Sequence, residues 1–96
     1  MEISLDYSKA ERQADTLEQC GNDMLQQSND ISNLITEIRR AWQGDTSEIY
    51  IKKLEALGND LKQSSDKCKQ DAKDFRARIN SIRKADEEAR AFIEKK

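Results

Sequence analysis

The 96-residue sequence has no proline and no histidine, only three glycines, and aromatic side chains at 5%. With so little material for turns, a few long helices are favoured over many short elements, and a β-rich fold is disfavoured. Two cysteines 48 positions apart, Cys20 and Cys68, with no histidine to join them, fit neither a zinc-ligand spacing nor a Cys/His nucleophile. No glycine-rich loop and no convergent carboxylate pair stands out from the charged faces, so neither catalysis nor a metal or other cofactor is expected. No stretch approaches the roughly 20 apolar residues of a membrane span, and no early apolar run resembles the core of a secretory signal peptide. A membrane partner and classical export are therefore not expected. The formal net charge is −2, with bases mostly interleaved among acids, so the field that would attract nucleic acid is missing.

What is present is charge and periodicity. Charged residues make up 38% and apolar ones 35%, below the roughly 45–50% usual in globular chains, so the core must be thin. From Ile3, one series steps by seven through Ala10, Leu17, Met24, Ile31 and Ile38. A second, offset by four, runs Tyr7, Ala14, Gly21, Ser28, Ile35 and Trp42. Together they form the 3-4 spacing of a helix seam, with Gly21 and Ser28 as its weak positions. The first helix is expected over about residues 5–41. Ser8 with Glu11 reads as a capping box, Ser4 is an alternative start, and Arg39 and Arg40 suit the C-terminal end.

The pattern breaks over residues 42–46. There Gly44 can take a left-handed, helix-closing conformation, and Asp45 or Thr46 can cap the next helix, Asp45 with Glu48 as a capping box. The second helix, about 47–94, carries Leu54, Leu61, Cys68, Phe75, Ile82 and Ala89 at steps of seven, joined by Tyr50 and Leu57 and later by Ala72, Ile79 and Ile93. Its partner stripe drifts near Ser64 and Ser65, which suggests gentle packing rather than a strict supercoil. Lys95 and Lys96 complement its dipole.

So short a turn makes the helices antiparallel neighbours, and facing residues should have numbers summing to about 89. The resulting pairs include Ile35 with Leu54, Leu17 with Ala72, Ala14 with Phe75, Ala10 with Ile79 and Tyr7 with Ile82, so large side chains meet small ones. The expected fold class is all-α: a single-domain antiparallel two-helix hairpin. Leu25, Leu34, Ile49, Ile51 and Phe92 fall beside the seam and ask for a second surface, most simply a four-helix bundle made by dimerisation. Cys20 and Cys68 stand at one level of this hairpin. A crosslink there would close a loop of about 50 residues, worth roughly 4 kcal/mol in the chain-entropy model. Two reduced cysteines acting as small hydrophobes are the other reading.

Trp42 is the only tryptophan. Its ring could close the hairpin by packing on Tyr50 or the start of the second helix, and its indole N–H needs a partner if buried. A proline-free chain of about a hundred residues, two long amphipathic helices and Trp42-Gln43-Gly44 in the mid-chain turn together resemble the WXG family of type VII (ESX) secretion substrates, over essentially the whole chain. The resemblance implies a homodimer, or a heterodimer with a related hairpin, that folds in the bacterial cytoplasm and is secreted without a cleavable signal peptide. It also implies contact with the membrane ATPase of the secretion system.

One C-terminal signal of that family, an apolar residue followed at steps of four, three and four by an acid, a small or apolar residue and another apolar one, is matched by Ile82, Asp86, Ala89 and Ile93. The Tyr-x-x-x-Asp/Glu signal is absent from the C-terminal region. Tyr50 is followed by Leu54 and Phe92 by Lys96, and Tyr7 with Glu11 has the spacing only at the other end. A partner could supply the missing signal. Related hairpins also bind the helical targeting domain of a larger secreted toxin, so an adaptor role is a second form of this reading, and a generic helical scaffold is the alternative outside the family.

Overall fold

The computed structural model describes residues 6–42 and 44–95, so Ile3, Ser4, Gln43 and Lys96, named above, lie outside the described residues. Two helices, α1 (Tyr7–Ala41) and α2 (Asp45–Glu94), form an antiparallel hairpin measuring 79 × 18 × 15 Å, with no strand among the described residues.

The ends of the helices differ from the capping-box expectation. The N-cap of α1 is Asp6, whose carboxylate accepts the Lys9 N–H at 3.0 Å. Asp is among the strongest N-caps, so Ser8 falls two residues further on, within the first turn of the helix. Glu11 is then free to accept from Arg83 of α2 at 2.7 Å instead of capping. At the turn, Trp42 is the C-cap of α1 in an extended conformation, and its N–H still donates to the Ile38 carbonyl at 2.8 Å.

Gly44 follows with φ 133° and ψ 176°. The positive φ was expected, but the ψ is extended rather than helical, a region nearly exclusive to glycine. Gly44 itself is the N-cap of α2, with no side-chain cap. Asp45 and Glu48 sit inside the first turn, where their charge suits the helix dipole. Ser47 is buried and donates its hydroxyl to the Gly44 carbonyl at 2.7 Å, fixing the reversal.

The seam is the main correction. Gly21 and Ser28, read as its weak positions, are buried at its centre. In α1 the buried series is Ala14, Gly21, Ser28 and Ile35, with Ala10 buried beside its first member, and in α2 it is Ile51, Gly58, Ser65, Ala72 and Ile79, both series at unbroken seven-residue steps. Such regularity is what a left-handed heptad seam keeps and a drifting straight helix does not. Ala10 and Ile79, one of the expected large-on-small pairs, are both buried at the open end, but small residues face small residues at mid-length.

Two hydrogen bonds show why. Ser28 Oγ donates to the Gly58 carbonyl at 2.9 Å, and Ser65 Oγ donates to the Gly21 carbonyl at 2.5 Å. Each helix presents a glycine and, seven residues later, a serine, so antiparallel pairing sets the serine of one against the glycine of the other in two reciprocal layers. A hydroxyl can reach a carbonyl on the next helix only where no larger side chain holds the backbones apart. An added Cβ at Gly21 would stand 3.0 Å from the Ser65 carbonyl oxygen and 3.3 Å from the Cys68 Cβ.

Both reciprocal pairs have numbers summing to 86, and the interhelical ion pair Arg39–Glu55 sums to 94. These values bracket the expected 89. Large side chains return to the seam only towards the ends, as Ile35 and Ile51 near the turn and Ile79 at the open end. Ile51, expected beside the seam, is 1% exposed within it.

Candidate helix-docking face

The small seam pushes the longer side chains out to its two flanks, and the flanks have different chemistry. One carries Glu11, Glu18 and Arg39 of α1 beside Glu55, Arg76 and Arg83 of α2. Arg76 donates to Asp15 at 2.7 Å and also to Glu18, while Arg83 donates to Glu11 and lies 4.9 Å from the Tyr7 ring centroid. Near the turn, Arg39 pairs with Glu55 at 3.1 Å. The Arg76 guanidinium is held above its usual pKa by hydrogen bonds to Asp15 and then Glu18, against a smaller opposing effect of burial. These carboxylates are engaged by arginines, and the open grooves between them, about 260 and 440 Å³, are lined by charged and amide side chains, with Ile79 the one apolar residue. Among the described residues no three His, Cys, Asp or Glu side chains gather as a metal site.

The opposite flank is apolar. Its inner rows are Leu17, Met24, Ile31 and Ile38 of α1 with Leu54, Leu61, Cys68, Phe75 and Ile82 of α2, half-buried except for the exposed Phe75 and Ile82. A helix places the next row on the same side one residue back, which adds Leu34, Tyr50 and Leu57, all exposed. The result is a lengthwise apolar stripe covered on one side only. A coherent stripe of this kind marks an interaction surface more than scattered apolar residues do. The expected flanking set is thus partly redistributed. Leu34 belongs to the stripe, Leu25 lies half-buried on the charged flank, and Ile49 is exposed on the far side of α2.

Trp42 stands at the turn end of the stripe with its ring centroid 5.8 Å from that of Tyr50. The expected contact forms, but the rings are 45% and 52% exposed, so the tryptophan shields the tip without being a buried plug. At the other end α2 outruns α1. With the observed register, residues beyond about Lys84 have no described residue of α1 opposite them. Ile82, Ala89 and Ile93 are exposed there on one helical face, and Asp86 is held by Arg90 at 3.4 Å. Trp42 and Gly44 therefore sit together at the turn, and the Ile82–Ile93 set sits at the far end of the molecule.

Cys20 and Cys68 are free thiols at one level of the hairpin, so the crosslink considered from the sequence is not formed. Cys68 faces Gly21, whereas Cys20, one residue earlier and about 100° further round the helix, is exposed. Sequence reasoning missed the serine bridges and the arginine-rich flank. The recurrence of a glycine followed by a serine seven residues later in both halves was the available signal for the bridges, and the step of seven from Arg76 to Arg83 was the signal for the flank.

No helix is long and apolar enough to cross a membrane, judged over the described residues. Compared with family models, curated proteins and solved structures, the chain finds no match.

Proposed function

We propose that this protein is a small helical hairpin of the WXG type, secreted through a type VII (ESX) system, which works by docking its apolar flank on the helices of a partner in a four-helix bundle. The observation that carries the docking part is the asymmetry of the flanks: ion pairs complete one within the chain, while the other leaves Leu34, Leu57, Phe75 and Ile82 exposed in a line. Burying the half of one such side chain that is still exposed is worth about 1 kcal/mol, so a partner covering many of them gains enough to associate. The Trp42–Gly44 turn, with its half-exposed aromatic pair, and the face of exposed Ile82, Ala89 and Ile93 with half-buried Asp86 support the secretion part. Adaptor binding to a helical domain of a larger secreted toxin is the second reading, favoured by the length over which α2 extends past the described residues of α1.

The test is export from a host carrying such a system. Replacing Trp42 and Gly44 together should remove the protein from the medium while its cellular level and helicity persist. Undiminished export of that double variant would remove the turn from the export signal, and a parent chain that never reaches the medium would point to a cytosolic scaffold instead. Mass in solution and co-purification from the same host would then report whether the partner is a second hairpin or a larger toxin.

A further inference from the structure

Resting on the docking reading above, we propose that the apolar flank prefers a partner helix with basic residues beside its apolar stripe over a second copy of this chain, and that Asp23, Asp30 and Glu37 make that selection. Between residues 13 and 38, α1 holds five acids and not one lysine or arginine. Arg76 engages two of them, Asp15 and Glu18. The other three follow at seven-residue steps and are exposed. Moving round α1 from the seam, the row of Leu17, Met24 and Ile31 comes first, the row of Cys20 and Leu34 next, and the acidic row third, each roughly 50° beyond the last. The acids thus border the apolar stripe along its α1 edge.

No lysine or arginine pairs with these three among the described residues. Asp23 and Asp30 accept only amide N–H groups, from Gln19 at 2.9 Å and Gln26 at 3.0 Å. The corresponding border of α2 alternates in sign through Lys53, Asp60, Lys67 and Asp74. A second copy is therefore only a partial complement. Stacked with α1 on α2 at equal level, it brings Lys53 and Lys67 towards Glu37 and Asp23 but sets Asp60 against Asp30. Stacked with α1 on α1, it offers bases only near the ends of the helix. A partner with Lys or Arg at successive border positions satisfies the whole row. In such an interface the apolar stripe supplies affinity, while the border charges steer encounter and reject like-charged partners.

The test uses the whole chain, with its single tryptophan as fluorescent reporter, and two synthetic amphipathic helices free of tryptophan. Both carry the same leucine stripe, bordered in one by lysines and in the other by glutamates. At low salt the lysine-bordered helix should bind about tenfold tighter, three weak ion pairs' worth, and the ratio should fall towards one in 1 M salt. Replacing the row by Asp23→Asn, Asp30→Asn and Glu37→Gln should erase the preference while leaving binding and helicity in place.

Equal affinities, or a preference that survives the triple replacement, overturn the proposal and leave docking intact. A stable dimer of the chain alone at micromolar concentration overturns it as well. If neither helix binds, the docking reading falls with it.

Discussion

The two flanks of the hairpin start from the same geometry and reach opposite outcomes. On each, side chains one step off a seam of alanine, glycine and serine lean over the cleft between α1 and α2. Where those side chains are Glu11, Glu18, Arg76 and Arg83, they meet across the cleft and complete their interactions within the chain. Where they are Leu17, Leu54, Phe75 and Ile82, they meet only in part, because a two-helix layer has no third surface to cover them. Length matters to both. An arginine reaches a carboxylate on the next helix and can keep its outer face wet, whereas an apolar side chain is satisfied only by being enclosed. A polar flank can therefore close a hairpin, and an apolar flank calls for another molecule.

The largest expected effect comes from the seam that both flanks depend on. Gly21→Leu would drive a side chain into the Ser65 carbonyl and Cys68, and should cost about 3 kcal/mol in urea unfolding followed by circular dichroism. Gly58→Ala should do the reverse. Its added Cβ meets Ile31 at an ordinary 3.5 Å, so the better helix propensity of alanine should raise stability by up to about 1 kcal/mol. Equal losses from the same substitution at the two glycines would refute the tighter approach of the helices at Gly21 than at Gly58.

Ser65→Ala removes one of the buried bridges and should cost about 1 kcal/mol in the same measurement. Arg76→Gln tests the charged flank. Its side chain is about one-third exposed, so its ion pairs should matter less than the Ser65 bridge, and the difference from the parent should shrink in high salt. A loss well above that would mean the charged flank does more than trim the hairpin's edge.

The smallest effect on stability is expected where the effect on function is greatest. Leu34→Lys with Leu57→Lys, at positions 43% and 49% exposed, should move the unfolding midpoint by less than about 0.5 kcal/mol in free energy. The same pair should abolish capture of a partner helix in a titration or co-purification. If stability collapsed instead, the apolar flank would belong to the core of the hairpin and not to a docking face.

The sequence by itself determined that there are two long helices, where they reverse, and roughly which residues stand at one level. Absent proline, heptad repetition and Gly44 act locally or along one helix, and a linear reading captures such features. It also made the apolar residues visible, but not their places. The apolar pattern put Leu54 and Phe75 in the seam and kept Gly21 and Ser28 there only as weak positions, because hydrophobicity alone says nothing about how near two backbones can come.

Only the tertiary structure decided that. Close approach at Gly21 and Gly58 lets Ser65 and Ser28 bridge the helices, and this turns the larger residues outwards. The phase of each helix about its axis then sends the arginines and their acids to one side and the leucines to the other. Asp6 won the N-cap and Gly44 took an extended rather than helical ψ for the same kind of reason: the hydrogen bonds that settle a helix end depend on where neighbouring groups lie in space, which spacing along the chain does not specify.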